Sequence, residues 1–458
     1  MAFKDTFPEG VDMEVEILGQ QPALQVYTQL SSVFRLDADA QVEDILSTLR
    51  KGLVQLAKDF PWLAGQIIHE RIGHDSSGVF KIKPFEVTPR LTVKDARRDG
   101  SMPSMEEMAA AGFPMSMFDE TKIAPRMTIP GGPGETANDP EPVLLFQVTL
   151  APGALILTSA TVHRAIDIIG QAQILHWLSQ ACHGIPFTEE DKTVGNMERK
   201  ALIPLIQGSD DLESEFRTLW ITPTTPPAKN NDPAPPCSWA TIRVSPDALV
   251  KLKADATKTV TEGFISTDDA LTALVWQAIM RARQHRVPQD RVVRMTRAVD
   301  VRSHCNLSSK YPGLMQSQSL NSYPIQELVD APLGEIASRL RLALDPAKTL
   351  RELSGLATML ERDADKTRYS FVASTDSAID INLSSWVKVD CYDDDFNFGL
   401  GKPVTVVRPH FAPYEGLIYM MPRSVEDGIT ITICLRDVEI EKLKTDDRLT
   451  TYAKFVDN

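Results

Sequence analysis

Between residues 41 and 58 the apolar positions Val42, Ile45, Leu46, Leu49, Leu53 and Leu56 recur at intervals of three and four. That is one face of a 3.6-residue repeat, and it predicts an amphipathic helix lying on a core. Leu144 to Leu150 and Ala154 to Val162 flank Pro152-Gly153, which predicts a β-hairpin. From Ile168 to Cys182 apolar residues occupy nearly every face, so that helix is expected to be buried. Ser266-Thr267-Asp268 sets hydroxyls and a carboxylate where the orphan N–H groups of a helix start need acceptors, and opens a helix through Arg283. Val292 to Val301 reads as a strand, 333–362 as one long helix, and further strands are expected at 370–374, 416–421 and 428–435. Helices and strands mixed in both halves predict an α/β chain.

Two shifts in composition punctuate this pattern. Ile129 to Pro142 (IPGGPGETANDPEP) is a Pro/Gly turn cluster that reads as a surface loop. The second is longer: seven prolines (Pro204, Pro223, Pro226, Pro227, Pro233, Pro235 and Pro236) between residues 204 and 236. Each lacks an N–H and fixes φ, which argues against a helix or central strand there. This predicts an N-terminal domain over 1–203, a linker over 204–238 and a C-terminal domain over 239–458. The length of 458 residues suits two or three domains at roughly 150 residues each. No internal repeat shows at the level of sequence.

Charge changes the picture in one respect. Lys+Arg 48 against Asp+Glu 62 leaves a net charge of −14, which argues against a general nucleic-acid binder, since phosphate neutralisation needs a basic face. An anionic ligand would then need a local basic pocket. With 43% hydrophobic and 24% charged residues, the chain is expected to be an ordinary globular protein. Met1 to Gly10 has no apolar core of a signal peptide, and no run of eighteen apolar residues occurs. Neither a secretory signal nor a membrane partner is expected, and Lys454 to Asn458 is no targeting signal. Five scattered cysteines (Cys182, Cys237, Cys305, Cys391 and Cys434) with no CxxC pair suggest a reduced, cytoplasmic setting.

Strong chemical signatures are absent: there is no GxSxG elbow, Walker A loop, HExxH or metal-spaced Cys/His set. No metal is expected. Gly131-Gly132-Pro-Gly134 reads as turn chemistry rather than a phosphate loop. Of the eight histidines, His69, His74, His285, His304 and His410 lie in polar or loop-like stretches and read as solvated or structural. His163 differs, standing at the end of an apolar strand directly before a buried helix, in Ala160-Thr-Val-His-Arg-Ala-Ile-Asp167. Two readings of it stand. It is a general base delivered to a crevice, its pKa near operating pH, or it is a packed core histidine, with Asp167 a helix N-terminal acid.

The other segments weigh on that choice. Asp59-Phe-Pro-Trp-Leu-Ala-Gly65, His163-xxx-Asp167, Ser266-Thr-Asp-Asp-Ala-Leu-Thr-Ala-Leu-Val-Trp276, Asp300-Val-Arg302, Tyr311-Pro-Gly313, Ser384-Ser-Trp386 and Asp395-Phe-Asn-Phe-Gly-Leu-Gly-Lys-Pro403 occur in that order. The chain resembles the BAHD acyltransferase superfamily, CoA-dependent enzymes with an HxxxD and a DFGWG motif, and more narrowly its fungal trichothecene 3-O-acetyltransferase-like branch. The likeness spans nearly the whole chain. It departs from the plant-type DFGWGKP, which becomes DFNFGLGKP here with Leu400 in place of the Trp, and Leu314 follows Tyr311-Pro-Gly313 where Asn is frequent.

The resemblance implies two chloramphenicol-acetyltransferase-like domains, each a mixed β-sheet flanked by helices, meeting at a channel. It implies an acyltransferase using acetyl-CoA as donor co-substrate, with a hydroxylated secondary metabolite as acceptor, acting as a monomer. His163 would take the acceptor hydroxyl's proton and return it to the CoA thiolate. Asp167 would turn away from His163 and pair with an arginine, for which Arg302 is the candidate, and Asp395 reads as a structural acid. Ser384, Ser385 and Trp386 fall where the family lines its channel. A hydroxyl or indole N–H there would meet the oxyanion; the other reading is an exposed Ser-Ser followed by a core Trp. Ser266 and Thr267 offer helix-start N–H groups to CoA oxygens, and Gly399 and Gly401 join them as CoA contacts. Arg281, Arg283, Arg286, Arg291, Arg294 and Arg297 could meet CoA phosphates, or form a solvated helix face. Two other functions stay open: a condensation-type amide or ester former using carrier-bound thioesters, against which Val162 and Ile168 depart from HHxxxDG, and a degenerate transferase fold kept for ligand binding.

Overall fold

The computed structural model describes residues 10–21, 24–73, 76–131, 139–208, 211–221 and 235–456. Residues 222–234 at the centre of the Pro-rich stretch, Gly132 and Gly134 of the turn cluster, His74, and nearly all of Met1 to Gly10 lie outside the described residues.

The strands Tyr27–Arg35, Leu144–Ala151 and Ala154–Val162 are buried along almost their whole length, as aliphatic runs covered on both faces must be. With Arg90–Asp95 and Thr405–Val407 they form a five-stranded sheet in the order 405–407, 27–35, 154–162, 144–151, 90–95. It is antiparallel except where 90–95 runs parallel to 144–151. The hydroxyls in these buried strands are satisfied locally. Ser31 and Thr158 share a hydrogen bond of 2.8 Å, and the Gln171 amide donates to Ser159 Oγ at 2.9 Å. The predicted helices stand at Val42–Asp59 and Ile168–Cys182 and share one apolar core with this sheet.

A second, seven-stranded sheet has the order 316–324, 292–300, 381–385, 417–420, 429–436, 237–244, 454–455. Its centre is parallel, with Ile381–Ser385 between Val292–Asp300 and Leu417–Met420. Thr267–Arg283 and Leu333–Leu342 pack in its own core. A small four-stranded sheet combines Met13–Glu14, Val79–Lys83, Gln66–Glu70 and Glu141–Pro142. Both main sheets are mixed and flanked by helices.

Three expectations need correction. The helix expected over 333–362 is two, Leu333–Leu342 and Pro346–Arg362. Asp345 accepts from the Lys348 N–H at 2.8 Å and Pro346 takes the first helical position, a cap-and-proline start that ends what precedes it. No strand occupies 370–374. Thr375 Oγ1 donates to the Val372 carbonyl at 2.9 Å and Ser370 Oγ accepts from the Val372 N–H at 3.2 Å, closing a turn. The Pro-rich stretch also carries a short helix, Leu212–Glu215, with Leu212 and Phe216 buried, in the interval between Pro204 and Pro223 that holds no proline.

The two sheets are tied across the chain. Thr405, Val406 and Val407 pair with Val33, Ser32 and Ser31, so a strand from late in the sequence edges the first sheet. Phe396 and Phe398 follow it into that core and meet the Phe34 ring edge-on, at 6.2 and 5.7 Å between centroids. Among the described residues, no helix is long and apolar enough to cross a membrane.

Candidate active site

The Ala154–Val162 strand ends at the turn that carries His163, whose N–H donates to the Val26 carbonyl at 2.8 Å. His163 Nδ1 lies 3.2 Å from the Ile166 carbonyl oxygen. A carbonyl only accepts, so Nδ1 carries the proton and Nε2 keeps its lone pair in the neutral ring. Burial pulls the His163 pKa below its ordinary value, and nearby Arg408 pulls the same way, against the Ile166 hydrogen bond and the charge of Asp167.

Asp167 does not touch this imidazole. As the cap of Ile168–Cys182 it accepts from the Gly170 N–H at 2.8 Å, and it accepts the Met315 N–H at 2.8 Å. Arg302 grips it with two bonds, Nη2 to Oδ1 at 2.8 Å and Nη1 to Oδ2 at 3.0 Å. Arg302 also donates to the Tyr311 and Gly313 carbonyls, both at 2.8 Å. Burial opposes the charge of Arg302, but Asp167 outweighs it and raises the pKa. A second buried pair lies behind the same loop: Glu16 Oε1 accepts from Arg199 at 2.9 Å, Tyr311 Oη at 2.6 Å and the Leu314 N–H at 3.0 Å. Residues 311–315 are thus clamped between two ion pairs.

That clamp brings backbone against backbone. A Cβ on Gly170 would fall 2.0 Å from the Pro312 carbonyl oxygen, a contact only glycine permits. Gly170→Ala is therefore expected to destabilise the protein by about 1–3 kcal/mol, as overpacking does, read as a lower denaturant midpoint; an unchanged midpoint would show that the loop yields without cost.

His163 opens into a cavity of about 350 Å³ between the two main sheets. Tyr27 and Thr28 contribute from the first sheet, Thr296, Asn382 and Ser384 from the second, and Trp386, Phe411 and Tyr419 form an aromatic wall. The Trp386 indole N–H donates to Ser384 Oγ at 2.9 Å. That N–H is spent, but it turns the Ser384 hydroxyl into the donor left for a bound oxygen.

The other residues singled out in the sequence lie elsewhere. Ser385 points to the opposite face of its strand, as period two requires, and donates to Asp268 at 2.7 Å. Ser266 closes a capping box with Asp269, and Thr267 is the first residue of that helix. Arg281 is held by Asp446 at 2.6 and 2.9 Å. Gly399 and Gly401 sit at φ +72° and +75° in an open turn. Neither these glycines nor Ser266, Thr267, Arg281 and Ser385 line the His163 cavity. Asp395 Oδ1 accepts from the Asn397 N–H at 3.0 Å and pairs with His183 Nε2 at 2.6 Å, holding the turn that sends Phe396 and Phe398 inward. The arginine run is largely neutralised inside the protein. Arg283 and Arg286 face Glu439, Arg297 faces Asp268 and Asp269, and Arg294 lies 3.9 Å from Asp380.

Arg408 was missed. It follows the Thr405–Val407 strand, is 3% exposed and lines the cavity. A lone arginine closing a β-branched strand is the one trace it leaves in the sequence. Among the described residues no group of three or more side chains could hold a metal ion.

Comparison with known proteins gives this geometry a context. The family model described as "Trichothecene 3-O-acetyltransferase-like N-terminal domain" matches residues 26–182, and that of the "Transferase family" matches residues 133–450. The chain is 42% identical to trichothecene 3-O-acetyltransferase TRI101 of Fusarium sporotrichioides, over 99% of each chain. It is 41% identical to the O-acetyltransferase dmxR13 of a Cryptosporiopsis species, over 97% of this chain and 98% of that one. The solved structure of Fusarium graminearum TRI101 with coenzyme A and deoxynivalenol is 40% identical and superposes with a TM-score of 0.93, covering 98% of this chain and all of that one.

Proposed function

Because the chain belongs to the Transferase family, we infer that it is a CoA-dependent O-acyltransferase, which moves an acetyl group from acetyl-CoA to a hydroxyl of a secondary metabolite with His163 as general base. The single observation that carries this reading is the His163 ring, Nδ1 bound to Ile166 and Nε2 free, opening into a cavity between the two sheets. Nε2 takes the proton as the acceptor oxygen attacks the thioester carbonyl. The tetrahedral intermediate collapses with cleavage of the C–S bond, and the same nitrogen returns the proton to the departing CoA thiolate. The Ser384 hydroxyl is the donor assigned to the developing oxyanion. Asp167 and Arg302 are positioning residues that hold the turn bearing the base. The relatives support the donor, since a 40% identical structure carries coenzyme A.

The same reading places a monomer in the cytoplasm, supported by five cysteines that form no disulfide. It divides the chain into domains at 1–203 and 239–458 with 204–238 between them, supported by an apolar core on each main sheet, the first of which also takes in Phe396, Phe398 and Val406 from the later half.

The test is thiol release. Purified protein is expected to liberate CoA thiol from acetyl-CoA only when an alcohol acceptor is added, and tight binding of a panel of alcohols and thioesters without turnover would overturn the reading. The pH profile adds a second check. A base whose pKa is pushed below the ordinary 6.5 stays unprotonated into mildly acidic solution, so the acid limb of kcat/KM is expected below pH 6.5. A limb above that value contradicts the assignment. Stability shifts the same way. The unfolded chain binds this proton first, so the site's contribution declines as pH falls from 6.5 toward the folded value.

A further inference from the structure

Six arginines are buried among the described residues, and five of them face a carboxylate. Arg302 meets Asp167 at 2.8 Å, Arg199 meets Glu16 at 2.9 Å, Arg297 meets Asp269 at 2.9 Å, Arg283 meets Glu439 at 3.3 Å and Arg164 meets Glu141 at 3.9 Å. Arg408 is the exception. Among the described residues no carboxylate lies within 4.0 Å of it, its one hydrogen bond runs from Nη1 to the Gln29 carbonyl at 3.4 Å, and its buried Nε has no partner. What surrounds it is aromatic: the rings of Phe411 and Tyr419 at 4.6 Å and Trp386 at 5.6 Å from the guanidinium carbon.

A buried cation without a counter-ion is a costly arrangement unless something completes it. The rings offset part of that cost, but a ring face takes no directed hydrogen bond in the guanidinium plane. Four of the five N–H donors of Arg408 therefore remain unspent beside the cavity that holds His163.

Resting on the acyltransferase reading above, we propose that Arg408 is a specificity-determining residue that receives a carbonyl-class oxygen of the acceptor, ketone or carboxylate, so that the cavity selects alcohols bearing a second oxygen function. The bound oxygen supplies the hydrogen-bond acceptor that the protein itself withholds, and the aromatic wall covers the hydrocarbon around it. A site built to hydrogen-bond a substrate group discriminates strongly against analogues lacking that group, because its own polar atoms are then left unpaired.

The experiment compares three acceptors of one size: a decalinol, a hydroxydecalone and a hydroxydecalin carboxylate. Each is measured as kcat/KM at saturating acetyl-CoA, with the KM for acetyl-CoA and the melting temperature recorded alongside. Wild-type protein is expected to prefer at least one oxygen-bearing acceptor over the decalinol by about tenfold or more, and which of the two it prefers separates the neutral from the charged oxygen. Arg408→Met is expected to collapse that preference to within about threefold, the ratio between acceptors being the readout, with the KM for acetyl-CoA near wild type. Arg408→Lys, which keeps the charge without the planar fork, is expected to restore part of the preference.

Equal losses on all three acceptors would overturn the inference, assigning Arg408 to the reacting centre or to packing alone. An undiminished preference in Arg408→Met overturns it too. Should that variant not fold, the wild-type measurement decides alone, since a wild-type enzyme indifferent to the second oxygen has no such subsite. Failure of the acyltransferase reading looks different: no thiol release from wild-type protein with any alcohol, which removes this inference along with its premise.

Discussion

Replacing His163 with alanine is expected to lower turnover by about 10²-fold or more, the usual contribution of a positioned general base, while moving the melting temperature by no more than a few degrees. The two halves of this expectation have separate causes. Catalysis suffers because Nε2 is the free lone pair on the ring and Nδ1 is already bound to the Ile166 carbonyl. Stability barely suffers, because the side chain borders a pre-existing cavity and makes one side-chain hydrogen bond to the protein. One such bond is worth about 0.5–1.5 kcal/mol. His163→Gln supplies a control of similar size that can hydrogen-bond but cannot shuttle a proton. Thiol release by either variant at near wild-type rate would defeat the assignment.

Asp167→Ala is expected to act the other way round, costing about 3–5 kcal/mol of stability by removing the buried partner of Arg302 and leaving that charge only the half-exposed Asp300, at 2.9 Å. The carboxylate also caps the helix through the Gly170 N–H and binds the Met315 N–H, so several donors lose their acceptor together. Activity falls as a consequence of the lost turn geometry. Arg302→Met leaves the opposite charge stranded and should cost a similar amount. Removing both members should cost less than the sum of the single changes, because no lone charge then remains. Chemical denaturation of the three variants measures this. Asp167→Ala with wild-type stability and lost turnover would instead make Asp167 an orienting acid for the imidazole, which the Arg302 grip argues against.

The elements that could be read from the sequence are those whose burial follows a local period. Val42–Asp59 and Ile168–Cys182 fall within a residue or so of expectation, since a helix face on a core leaves its stripe in the nearest turns. Gln316–Pro324 (QSQSLNSYP) left no such trace. Its buried positions include Ser317, Ser319 and Asn321, so alternation of hydrophobic and polar residues is missing even though alternation of burial is present. The break inside 333–362 was carried by Asp345-Pro346, a cap signal that an apolar stripe running through it obscured. The approach of Arg302 to Asp167 joins the end of one sheet to the start of a helix on another, and no spacing argument reaches it; it came from family likeness. Arg408 had neither period nor motif. Its character comes from having no carboxylate within 4.0 Å among the described residues, which no local pattern in the sequence can display.

The pairing of Thr405–Val407 with Ser31–Val33 sets a timing problem for the ribosome. At roughly 5–20 residues per second, the outer edge of the Tyr27–Arg35 strand waits tens of seconds for its neighbour to be synthesised, its N–H and C=O groups meanwhile a template for foreign strands. A nascent or truncated polypeptide that stops short of this closing strand is thus poised to aggregate, and chaperone demand should peak before the last tenth of translation.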